Sequence, residues 1–93
     1  MTGWFARRFG ARKTVQMEVQ FIGCIHTQAF LELVFRQMNV RIMDVDFSAE
    51  SCREGMRYTN VYTLEIPREM DGSECIRSAL LAHASVKSAR MIS

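Results

Sequence analysis

The sequence predicts a small α+β domain: a four-stranded antiparallel sheet with two helices on one face, in the order strand, helix, strand, strand, helix, strand. Three observations carry this. Apolar and polar residues alternate through 14–22, 40–48 and 57–66, the period of half-buried strands. The spacing changes to a helical period over 28–38 and again after Asp71. The chain has 93 residues, 48% hydrophobic and 24% charged, which suits one domain with a core of about a dozen large apolar side chains.

The first strand is predicted over 14–22. Val15, Met17, Val19 and Phe21 point one way, and Gln16, Glu18 and Gln20 the other. Gly23 ends it, and Cys24, Ile25, His26 and Thr27 form a loop. The first helix is predicted over 28–38, with Thr27 as its N-cap and Asn39 as its C-terminal stop. Phe30, Leu33, Val34 and Met38 define its apolar face, and Leu31 and Phe35 widen it.

In the second strand, over 40–48, Met43, Val45 and Phe47 alternate with Asp44 and Asp46. Residues 49–56 are read as a polar hairpin connection. The third strand, 57–66, places Tyr58, Tyr62, Leu64 and Ile66 on one face before Pro67 stops it. Asp71 caps the second helix, and Glu74 three residues on makes a capping-box pair. Ile76, Ala79, Leu80 and His83 form its buried face, and 86–92 is the last strand. Two right-handed crossovers then give a ferredoxin-like βαββαβ domain whose apolar strand faces meet both helices.

Composition narrows the function. No apolar run approaches the roughly 18–20 residues that span a bilayer, and no secretory h-region follows Met1. Cys24, Cys52 and Cys75 are odd in number and widely separated, so free thiols in a reducing compartment are expected rather than disulfides or structural zinc. The net charge of +2 is uneven. A basic aromatic leader, residues 1–13, carries Arg7, Arg8, Arg12 and Lys13 with no acid, and the body, 14–93, is mildly acidic. An acidic body lacks the basic face a nucleic-acid binder needs, so nucleic acid is excluded as its partner. Trp4 and Phe5 beside Arg7 and Arg8 suit a membrane–water interface; a frayed terminus is the plain alternative.

From Val15 onward, the segments MEVQFIG, FLELVFRQMNVRIMDVDFS, YTNVYTLEIP and VKSARMI, behind the leader WFARRFGARK, resemble the C-terminal cytoplasmic ACT-like domain of the MgtC/SapB family. The resemblance implies an ACT-like fold and a place at the cytoplasmic face of a bacterial inner membrane. It also implies a membrane-embedded part of the same protein as partner, and a link to magnesium adaptation. It implies no enzyme activity. ACT domains that bind amino acids carry an Asp-x-Pro-Gly-like turn after the first strand. Gly23-Cys24-Ile25-His26-Thr27 has no proline there, which counts against an amino-acid site by analogy.

Two groups of side chains are candidate sites. Gly23, Cys24, His26 and Thr27 form a ligand loop; a Cys–His pair can hold a soft metal or act as nucleophile and base, but two ligands do not complete a zinc site. Glu18, Asp44, Asp46 and Glu65 share the sheet face away from the helices, where a weak Mg²⁺ site has the oxygen ligands it needs. The commoner arrangement is a solvated face with those acids paired to Arg90 and its neighbours. No other cofactor is implied. No catalytic residue is singled out, because no phosphate-cradling glycine loop, nucleophile elbow or H-E-x-x-H motif occurs. The sequence therefore reads as a regulatory or protein-interaction domain that forms a homodimer through an exposed strand edge or the broad first helix. The alternative is a free-standing ACT-like sensor of a small ligand, an amino acid or a metal.

Overall fold

The computed structural model describes residues 11–92. It has the predicted order: β1 (Arg12–Ile22), α1 (Thr27–Gln37), β2 (Arg41–Cys52), β3 (Gly55–Pro67), α2 (Gly72–Ala82) and β4 (Val86–Met91). The sheet order is β2-β3-β1-β4, with every neighbouring pair antiparallel, the ferredoxin-like, ACT-like βαββαβ arrangement. Trp4, Phe5, Arg7 and Arg8 lie outside the described residues.

Cross-strand register explains the core. Val15, Met17, Val19 and Phe21 sit opposite Leu64, Tyr62, Asn60 and Tyr58. Residues directly opposite in an antiparallel pair share a face, so these side chains form one surface. Leu31 and Phe35 of α1 and Cys75 and Ala79 of α2 close over it in a single cluster. Phe35 meets Tyr62 edge-on, with ring centroids 5.4 Å apart, and Phe21 stacks on Tyr58 at 5.2 Å.

Several expectations are corrected. β1 reaches back to Arg12, inside the segment read as leader. β2 does not stop at residue 48 but continues to Cys52, because residues 48–52 pair with β3 from Thr59 back to Gly55. The polar connection over 49–56 therefore shrinks to a turn at Arg53 and Glu54, closed by Gly55 at φ +125°, a left-handed conformation that suits glycine. In α1, the centre of the buried face is Leu31 and Phe35, while Phe30 and Leu33 are 45% and 48% exposed. In α2 the buried pair is Cys75 and Ala79; Leu80 is exposed, and His83 is the C-cap rather than a helical core residue. Ring nitrogen Nδ1 of His83 accepts from the Ser85 amide at 3.0 Å, and Phe30 packs on the imidazole at 5.2 Å.

Thr27 does not cap α1. The N-cap is His26, whose side chain makes no capping bond. Thr27 is buried, and its hydroxyl bonds Ser85 just before β4, tying the two halves together. Asn39 does stop α1: it adopts φ +62°, and the Val40 amide turns back to the Phe35 carbonyl at 2.9 Å.

Asp71 caps α2 by accepting from the Ser73 amide at 3.2 Å. Glu74 donates its backbone amide to the Asp71 carbonyl, and no side-chain bond completes the capping box. The Ser73 hydrogen bond holds the Asp71 carboxyl below its ordinary value. A lowered folded-state pKa contributes stability above the unfolded value near 4, and that contribution is lost as pH falls. Asp71→Ala is accordingly expected to melt below the parent at pH 7, with the gap closing toward pH 3; thermal scans by circular dichroism at both pH values check this.

Candidate functional site

Among the described residues no third His, Cys, Asp or Glu side chain joins Cys24 and His26 in the ligand loop. Gly23 sits at φ +87°, Cys24 is half-buried, His26 is exposed at the helix start and Thr27 is turned to Ser85. Backbone bonds from Thr27 to Cys24 (3.2 Å) and from Ala29 to His26 (3.0 Å) make the loop a tight helix entry. All three cysteines are free. Burial pushes the Cys75 thiol up, with the Glu74 charge adding and Lys13 opposing, which makes it an inert core thiol.

The acidic residues do share the open face of the sheet. Glu18 lies opposite Arg90, Asp44 opposite Thr63, Asp46 opposite Val61, and Glu65 opposite Arg41 and Thr14. Two of the four are engaged by arginines. Arg90 Nε donates to Glu18 Oε1 at 3.0 Å, which raises the Arg90 pKa. Glu65 Oε1 is 3.2 Å from Arg12 Nε and 3.6 Å from Arg41 Nη1. Asp44 and Asp46 are exposed on an edge strand. Among the described residues no three His, Cys, Asp or Glu side chains gather as a metal site.

A different feature stands out at the β2 edge. Val45, Phe47 and Ala49 lie opposite Tyr62, Asn60 and Tyr58, so they are on the helix side of the sheet. The apolar face of β2 was expected to meet a helix. It does so at Ile42, which packs against the core cluster, but Val45 is 36% and Phe47 43% exposed, with Phe47 stacked on Tyr58 at 5.7 Å. The reason lies in α1. Its side toward β2 carries the charged residues Glu32 and Arg36, which line a cavity with the first residues of β2. A bulge at Met43 shifts the register of the strand as it leaves that cavity.

Sequence reasoning missed two groups. Asn60 is fully buried in the centre of β3; its Nδ2 donates to the Tyr62 hydroxyl at 2.8 Å and its Oδ1 has no partner. Burial pushes the Tyr62 phenol up, the Asn60 bond opposes this, and Glu32 adds to it. The signal was present: Asn60 occupies the helix-facing register between Tyr58 and Tyr62, where a polar residue must find a partner. The second group lines a cavity of about 390 Å³ where α1 ends and β2 begins, with Arg12, Arg36 and Arg41 around it. No motif spacing marks these three, which come from three elements.

No family model and no curated protein sequence matches the chain. Solved structures do match in fold. An unknown protein from Galdieria sulphuraria superposes with a TM-score of 0.69 at 11% identity, covering 89% of this chain and 46% of that one. A formyltetrahydrofolate deformylase from Pseudomonas putida superposes with a TM-score of 0.63 at 7% identity, covering 87% of this chain and 29% of that one. At these identities the likeness is one of fold alone, and the chain spans less than half the length of either. Among the described residues no helix is long and apolar enough to cross a membrane.

Proposed function

We propose that this is a non-catalytic regulatory domain that works by self-association, serving as the cytoplasmic tail of an MgtC/SapB-type membrane protein linked to magnesium adaptation. One observation carries the association half: β2 is an open edge strand of twelve residues whose helix-side residues Val45 and Phe47 are uncovered. Such an edge is a template for another strand.

Charge selects the partner. β2 carries Asp44, Asp46 and Glu50 against Arg41, so two β2 strands would set acid near acid. The other open edge, β4, carries Lys87 and Arg90 with no acid, and presents Ala89 and Met91 on its helix side. A second copy docking β4 against β2 matches apolar to apolar and acid to base. The contact is head to tail, so dimers are its first step and closed rings or longer sheets follow.

The full chain is expected to gain mass with concentration in sedimentation velocity. Val45→Lys should hold it monomeric while leaving the melting temperature nearly unchanged, since Val45 is 36% exposed and lies outside the core cluster. A chain that stays monomeric at millimolar concentration refutes the association. The membrane half rests on the sequence resemblance, and the reading frame upstream of Met1 decides it: transmembrane helices there support it, and a stop codon in their place removes it. The alternative, a free-standing small-ligand sensor, draws on the cavity at the start of β2.

A further inference from the structure

The geometry points to that cavity as a binding site for a phosphate ester carrying a free hydroxyl group, held by Arg36 and Arg41. This assignment stands whether or not copies associate.

The cavity is built by the fold rather than by loose surface side chains. Asn39, in its left-handed conformation, turns the chain from α1 into β2 and forms one wall with Val40 and Ile42. Arg12, only 19% exposed, anchors that wall: its Nη2 donates to the Asn39 carbonyl at 2.6 Å and the Glu65 carbonyl at 3.0 Å. Its Nε lies 3.2 Å from Glu65 Oε1 but is not aligned for a hydrogen bond, so this buried donor has no acceptor. Arg12 is therefore a fixed charge in the wall.

The other two guanidinium groups are available. Arg36 has no carboxylate within 4.0 Å among the described residues. Arg41 makes only the 3.6 Å contact with Glu65, and its side chain is 68% exposed. Three guanidinium groups and one carboxylate, Glu32, line the space. Adding Glu65 behind Arg12 and Arg41 still leaves one positive charge unmatched. Planar guanidinium forks match the tetrahedral oxygens of phosphate. Glu32 is the discriminating feature. A bare anion would be repelled by it, whereas a hydroxyl on the same ligand donates to it. About 390 Å³ is room for a molecule of a few carbons plus a phosphate. A soluble sugar or glycerol phosphate and a phosphoglycerol lipid headgroup share this chemistry.

The test uses the full chain, uniformly ¹⁵N-labelled, followed by heteronuclear NMR. Inorganic phosphate, glycerol 3-phosphate and phosphatidylglycerol vesicles are titrated separately, with phosphatidylcholine vesicles as the neutral control. Glycerol 3-phosphate is expected to shift the amides of 36–42 and the Arg12 Nε resonance, to bind tighter than inorganic phosphate, and to weaken with added salt. The R36Q/R41Q variant, in which neither side chain is buried, should lose at least tenfold in affinity. Glu32→Gln should erase the preference for glycerol 3-phosphate over inorganic phosphate. Arginine-dependent binding confined to phosphatidylglycerol vesicles supports the same site with a lipid as its source. Absence of binding to every probe, or binding that R36Q/R41Q leaves unchanged, overturns the assignment. Neither result bears on sedimentation, so this site and the association reading fail separately.

Discussion

Phe35→Ala is expected to lower the folding free energy by about 3–5 kcal/mol, enough to leave a domain of this size largely unfolded at 37 °C. Phe35 is fully buried, meets Tyr62 edge-on and lies in the one cluster that joins α1 to the sheet. Truncation removes the ring and leaves a void that α1 cannot fill by settling, because the Asn39 turn and the Thr27–Ser85 bond fix both of its ends. Urea denaturation monitored by circular dichroism reads the loss directly. Phe30→Ala supplies the contrast. Phe30 was expected in the same face but is nearly half exposed, and its replacement should cost less than about 1 kcal/mol. Equal losses at the two positions would contradict the observed orientation of α1.

The second large effect concerns the buried polar pair. Tyr62→Phe removes the hydroxyl that accepts from Asn60 Nδ2 and leaves both polar atoms of Asn60 unpartnered in the core. The expected cost is about 1–3 kcal/mol, the desolvation penalty of an unmet buried donor. Adding Asn60→Leu, close in shape and apolar, should return most of that loss, and the double variant should match or exceed the parent. The double-mutant cycle therefore carries a favourable coupling term of more than about 1 kcal/mol. Additive losses from the two changes would mean that the side chains do not share a hydrogen bond. A domain that keeps an orphaned Asn60 oxygen in the middle of its sheet forgoes stability that an apolar pair would supply.

The fold was legible where one face of an element is buried and the other wet. β1 and β3 alternate for that reason, and their periods place Glu18 and Glu65 on the open face, where the structure has them. Legibility failed where local pattern and tertiary contact part. Residues 48–52 carry no strand signature; they are extended because β3 continues opposite them. α1 has apolar residues on several sides, so spacing alone did not separate the core pair Leu31 and Phe35 from exposed Phe30 and Leu33. Spacing marks Thr27 as a cap and His83 as a core residue, but a tertiary bond from Thr27 to Ser85 and a local one from Ser85 to His83 give both another task. The cavity was invisible for a simpler reason. Arg12, Arg36 and Arg41 lie on a strand start, a helix end and another strand start, and only the fold places them around one space.

The position of β1 has a kinetic consequence. It is the first strand of the described chain and lies in the interior of the sheet, with β3 on one side and β4 on the other. Its partners are distant: Gln20 pairs with Thr59, and Glu18 reaches Arg90 across 72 residues. The β2–β3 hairpin closes through two residues and needs nothing else. During synthesis that hairpin can form as soon as it emerges, while β1 waits unpaired until β3 arrives and stays open on its other side until β4 does. Topologies dominated by such distant pairings fold slowly and expose unpaired strands as they wait. An interior strand of the finished domain is thus the one that waits longest for shelter, and completion of the sheet belongs to β4.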